Sequence, residues 1–283
     1  MKPIISEEER AFFETQGYVV VPNAVPQQLC ENVIETIFAF LGMDRNNPDD
    51  WYRDPMPRGG MIELYQSQSL WNVRQHPKLH KIFSEIYGTE KLHVTLDRVG
   101  FKTPKHPAHP EYEHKGFTHW DVDTSKLPVP FGVQGVLCLT DTAADMGGFT
   151  CAPGFHARLG EWIAGQPADR NPSVPDLSTL PLDVKVLPIP ASAGSLIIWN
   201  TLLLHGNGFN ISGKPRFSQY VSMHPATHAS TEEMKDRISS WQERRTTVEP
   251  FFYGDPSGWE AKNSPPAELT SLGRKLLGVD SWK

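Results

Sequence analysis

Apolar positions recur with a helical period near the N-terminus and with a period of two further along. Glu7–Gln16 has helical spacing, with Phe12 and Phe13 on one face. Ser6 ahead of Glu9 forms a capping box, and Gly17 ends the helix. Tyr18–Pro22 reads as a short β-branched strand. Over Pro26–Leu41, residues Leu29, Val33, Ile34, Ile37, Phe38 and Leu41 recur every three or four positions, which predicts a second helix. Asn46–Gly60 is polar and Pro-rich, a long loop carrying Trp51, Tyr52 and Met56. A further helix is predicted over Lys78–Tyr87. From there the candidates are strands: Leu92–Lys102, Phe117–Val122, Gly132–Thr140, Thr150–Pro153, Val184–Pro188, Ser195–Trp199 and Arg216–Met223. Short strands separated by Gly, Pro and Asp turns predict a barrel or a double sheet. No linker divides the chain. The reading is one mainly-β domain over 1–283: N-terminal helices and a strand (1–91), a β core (92–226) and a helical tail (227–283).

Composition narrows the function classes. Twenty-five prolines and 22 glycines in 283 residues exclude a long-helix bundle. With 27 basic and 33 acidic residues the net charge is −6, which argues against a nucleic-acid partner. No apolar run approaches the roughly 20 residues that span a bilayer, so no membrane partner is expected. Met1–Arg10 is polar and acidic, unlike a signal peptide, and Cys30, Cys138 and Cys151 have no C-x-x-C spacing. These features point to a cytoplasmic protein. Oligomeric state is not legible.

The chemistry concentrates in Phe117-Thr118-His119-Trp120-Asp121-Val122. On a strand, His119 and Asp121 would project to the same face. A third ligand is offered by His205, 86 positions on, behind apolar Leu202–Leu204 that could carry it across a barrel interior. Two imidazoles and one carboxylate on one face of a metal leave neighbouring positions open, as in non-haem Fe(II) oxygenases. H-x-D alone arises by chance, and taken by itself it is better explained by a hydrogen-bonded core histidine beside a surface aspartate. Arg216, 11 positions after His205, changes the weighting. In Arg216-Phe217-Ser218-Gln219-Tyr220 the first, third and fifth residues share a face, and a guanidinium with a hydroxyl can grip one end of a dicarboxylate. A cupin-like metalloenzyme would not need that arginine, and a non-catalytic jelly-roll binding module would not need the three ligands. Gln134 and Leu137 lie on a strand that could face the pocket. Trp51, Tyr52, Met61, Tyr65 and Trp71 could line it or pack in the core. His106, His109 and His114 read as loop histidines near its mouth, and His156 as part of a structural turn.

These residues give the chain a resemblance to the phytanoyl-CoA dioxygenase family of Fe(II)- and 2-oxoglutarate-dependent oxygenases. It extends from Phe12–Pro22 through His119-Trp120-Asp121 and Gly147–His156 to Ala193–Trp199, His205 and Arg216. Phe155 stands where the family's turn usually carries serine, which should alter packing rather than chemistry. The resemblance implies a double-stranded β-helix, the cupin-like jelly roll. It implies Fe(II) on His119, Asp121 and His205, and the distal carboxylate of 2-oxoglutarate on Arg216 and Ser218. Thr150 is expected to face the cosubstrate and Arg98 to meet its other carboxylate. The implied reaction uses O2, releases succinate and CO2, and hydroxylates or otherwise oxidises an unactivated C–H bond. Halogenating relatives lack the carboxylate, so Asp121 disfavours that outcome. The expected substrate is a small or medium-sized free metabolite, as in secondary metabolism.

Overall fold

Strands that alternate bulky apolar with polar residues can bury one face and keep the other for chemistry. The computed structural model describes residues 3–114, 116–250 and 252–282. Its strands are β1 (Tyr18–Val21), β2 (Met61–Ile62), β3 (Leu92–Val94), β4 (Val99–Lys102), β5 (Phe117–His119) and β6 (Val133–Cys138). They continue as β7 (Phe149–Cys151), β8 (Leu187–Pro188), β9 (Leu196–Asn200), β10 (His205–Asn207), β11 (Arg216–Tyr220) and β12 (Met223–Pro225). Six form an antiparallel sheet in the order β1-β9-β6-β11-β4-β2, four form a second in the order β5-β10-β7-β8, and β12 pairs with β3. This is a jelly roll with flanking helices.

The three predicted helices form as α1 (Glu7–Gln16), α2 (Gln27–Leu41) and α4 (Pro77–Tyr87), with α3 (Gln68–Arg74) between the last two. The α1 capping box is present, and Gly17 closes the helix at φ 78°. A side chain there would also strike the His156 ring, since an added Cβ would lie 2.5 Å from Nδ1. His156 is therefore part of the turn's packing. Further on come α5 (Leu159–Ala164), α6 (Thr231–Glu243), α7 (Trp259–Asn263) and α8 (Ser271–Leu277). Among the described residues no helix is long and apolar enough to cross a membrane.

Helix α2 seats the sheet that carries the chemistry. Phe101 and Phe217 are register partners on β4 and β11, and their rings stack at 4.4 Å. Phe38 of α2 packs edge-on against Phe101 at 5.4 Å and tilted against Phe217 at 5.6 Å. With these rings on the helix side, alternation sends Gly100, Lys102, Arg216 and Ser218 to the opposite face.

Several predicted strands are shorter than expected: Val184–Pro188 keeps only β8, Gly132–Thr140 only β6, and Arg216–Met223 divides between β11 and β12. Leu92–Lys102 breaks between β3 and β4, where buried Arg74 donates to the carbonyls of Tyr65 (2.5 Å) and Asp97 (2.6 Å). Satisfying that guanidinium takes the chain out of the ladder. Phe117–Val122 stops at His119. Of the aromatic candidates, Trp51, Tyr52, Tyr65 and Trp71 are core, and Leu137 is wholly buried. The cysteines are free and buried.

Candidate active site

His119 ends β5, and its register partner is His205, the first residue of β10. The two imidazoles thus come from adjacent strands, at 4.7 Å between ring centres, rather than from across the barrel. Gly206 makes that pairing possible: a Cβ there would fall 1.7 Å from the Phe117 carbonyl oxygen. Gly206→Ala should push β5 off β10, costing about 1–3 kcal/mol and separating the imidazoles. A lowered melting temperature with weaker Co(II) uptake would confirm this; wild-type uptake would show that β5 tolerates the shift.

Asp121 lies beyond the strand. The Trp120 N–H leaves the ladder to donate to the Ser173 carbonyl (2.8 Å), and its indole packs with Phe155 and Trp162. That turn brings the Asp121 carboxylate back over the imidazoles. Oδ1 is 3.1 Å from His119 Nε2, and Oδ2 is 3.2 Å from His205 Nε2. The ligand atoms of all three lie within 4.8 Å of one another. His205 is 4% exposed, and its Nδ1 sits 2.9 Å from the Leu203 carbonyl, which can only accept. Nδ1 can donate there, which turns Nε2 toward the carboxylate. Nε2 of both rings and the carboxylate thus face one point, and N,O donors in this number suit a divalent transition metal. Partial desolvation raises the Asp121 carboxyl, but hydrogen bonds and charge from His119 and His205 outweigh it and hold it well below the usual range.

A second charged group lies along β4 and β11. Arg216 and Lys102 are register partners, and both are buried. Arg216 Nη1 donates to Asn207 Oδ1 (3.2 Å), while its Nε has no hydrogen-bond partner among the described residues. Lys102 Nζ donates to the carbonyls of Gly147 (3.2 Å) and Gly208 (3.1 Å) and meets His114 Nδ1 at 3.1 Å. Burial first, and the Arg216 charge second, push the lysine down to about 6. Burial and the charges of Lys102 and Arg216 push His114 down to about 4. Neither cation is ion-paired to a carboxylate among the described residues. Lys102 escaped the sequence reading; its signal was its two-residue spacing from Gly100 on a strand paired with the Arg216 strand.

Both groups open on a cavity of about 640 Å3, walled by Phe117, Phe149, Trp199 and Phe252 among others. Met61, Gln134 and His114 line it too. Ser218 shares the Arg216 face but lies behind the cavity wall, its buried Oγ against Gly100 and without a hydrogen-bond partner among the described residues. Thr150 does not line the cavity. On β7 it is Phe149 that turns inward, so alternation turns Thr150 away, toward Gly208. Arg98 lines the cavity but lies four positions from Lys102, about 13 Å along an extended chain. It is held by Glu63 at 3.0 Å and by the Phe252 ring at 4.6 Å. Glu63 also accepts the Tyr65 hydroxyl and the backbone N–H groups of Tyr253 (3.1 Å) and Gly254 (2.9 Å).

A jelly roll whose wall brings two imidazoles and a carboxylate together beside a buried, unneutralised guanidinium defines a 2-oxoglutarate-dependent non-haem iron dioxygenase. The family model described as Phytanoyl-CoA dioxygenase matches residues 13–218, and the chain belongs to that family. A Dictyostelium discoideum protein assigned to the same family is 24% identical over 316 residues, covering 95% of this chain and 86% of that one. Ectoine dioxygenase of Halomonas elongata is 25% identical over 237 residues, covering 74% of this chain and 66% of that one. Among solved structures, the epimerase SnoN with Fe3+, alpha ketoglutarate and nogalamycin RO matches with a TM-score of 0.57. That match has 16% identity and covers 94% of this chain and 95% of that one. The cofactors of the class are Fe(II) and 2-oxoglutarate, with O2 as oxidant, and its substrates are small molecules.

Proposed function

We propose that the protein oxidises an unactivated C–H bond of a small free metabolite, most simply by hydroxylation, with His119, Asp121 and His205 as iron ligands. The observation that carries this is the convergence of two imidazoles and a carboxylate on one point, a donor set that suits a divalent metal. Iron and 2-oxoglutarate, when bound, supply the oxidising power, O2 being consumed as the keto acid is cleaved to succinate and CO2. The chain's own residues hold and exclude. Arg216 grips the distal carboxylate of the keto acid with parallel N–H donors, Ser218 Oγ adds a third, and Lys102 supplies a second positive charge. Phe117, Phe149 and Trp199 keep water from the reacting centre. Arg98, just ahead of β4 and four positions from Lys102, lies on the substrate side of the cavity. The name ectoine dioxygenase among the relatives supports a free metabolite as substrate.

Anaerobic addition of Fe(II) and then 2-oxoglutarate should produce a weak visible charge-transfer band, and admitting air should release succinate. No band with either order of addition would sink the assignment. A pH effect follows from Lys102. Held down to about 6, it is mostly uncharged near pH 7.5 in the free protein. A dianion beside it favours the charged form, so binding should draw in close to one proton. Uptake should fade below about pH 5, where the lysine is already protonated, and affinity should weaken as pH climbs above 6. Calorimetry in buffers of differing ionisation heat reads this directly; no proton uptake would remove Lys102 from the cosubstrate site.

A further inference from the structure

Of the three side chains assigned to iron, Asp121 alone is off a strand. It lies in the bend after β5, with 44% of its side chain exposed. Among the described residues of the four-stranded sheet, only the imidazoles of His119 and His205 meet its carboxylate. The six-stranded sheet supplies another partner. Gln134 Nε2 donates to Asp121 Oδ2 at 2.7 Å, and Gln134 Oε1 accepts from the Trp199 indole N–H at 3.1 Å. An indole N–H can only donate, so it fixes which end of the amide faces it and therefore which end faces the carboxylate. Trp199 is itself immobilised: it is the register partner of Gln134, and its ring lies 4.6 Å from Phe149 and 5.0 Å from His205.

We propose that Gln134, oriented by Trp199, is the positioning residue that holds the Asp121 carboxylate in its iron-binding orientation. This deepens the reading of His119, Asp121 and His205 as iron ligands and rests on it. An exposed aspartate on a bend can turn about its own side-chain torsions, and each turn takes a ligand oxygen away from the point the imidazoles share. The amide stops that rotation from the opposite sheet. Being neutral, it does so at every pH, and it adds no charge to compete for the metal. The tie also couples the two sheets at the iron, so a displacement of β6 would reach the ligand directly.

Gln134→Met keeps the length of the side chain and removes both hydrogen bonds; Gln134→Asn keeps an amide too short to reach both partners. Fe(II) affinity, titrated calorimetrically without oxygen and repeated with Co(II), should fall about 10–100-fold in each. The charge-transfer band formed with 2-oxoglutarate should weaken or shift, while far-UV dichroism stays that of the parent. Trp199→Phe leaves the amide free to turn over and should give a smaller loss. Either folded Gln134 variant binding Fe(II) within twofold of the parent, with an unchanged band, would overturn the proposal alone. Parent protein that takes up neither metal would overturn the ligand reading along with it.

Discussion

His205→Ala is expected to lose Fe(II) binding and turnover together while the β core stays folded. The ring is buried between Phe149 and Trp199, at 6.0 and 5.0 Å between ring centres, so its truncation leaves a hole that water or solvent imidazole can enter but no protein donor can fill. Two ligands then remain, one of them on the bend after β5. The stability cost is modest by comparison. Removing Nδ1 orphans the Leu203 carbonyl, worth about 1–3 kcal/mol. Thermal melting should therefore show a lowered but cooperative transition, and oxygen-free titration should show no saturable Fe(II) site. Full activity in this variant would prove the third ligand misassigned.

The second large effect is expected at Arg216. Its alanine variant should bind Fe(II) as the parent does yet require far more 2-oxoglutarate. Truncating one partner of a buried, hydrogen-bonded charge pair costs about 2–5 kcal/mol, roughly 30-fold to several thousand-fold in affinity. Lys102 limits the damage, because removing the neighbouring charge eases its protonation beside the bound dianion, while burial still holds the free amine down. Arg216→Lys should recover only part of the loss, since an ammonium cannot present the planar fork of a guanidinium. Titrating the charge-transfer band with 2-oxoglutarate separates the variants. An unchanged midpoint in Arg216→Ala would refute the assigned role.

Much of this site was readable from spacing alone. His-x-Asp, a distant histidine behind apolar residues and an arginine 11 positions later are local patterns, and the helices with strong periodicity formed where expected. What could not be read depends on pairing. β10 is three residues long and includes a glycine and an asparagine, poor strand formers. It exists because β5 and β7 both bond to it. Lys102 reads as an ordinary strand-ending lysine until register sets it opposite Arg216. Thr150 was assigned to the inward face, but that face of β7 belongs to Phe149 and Cys151. Nor does the sequence reveal that an amide on β6 reaches a carboxylate in the loop after β5.

The Glu63 carboxylate, by collecting Arg98, Tyr65 and the backbone of Tyr253 and Gly254, makes the C-terminal stretch part of the reaction chamber. Phe252, from the tail, is thereby held against Arg98 on the cavity wall. A substitution there reaches the chamber without altering the strands that carry His119 and His205.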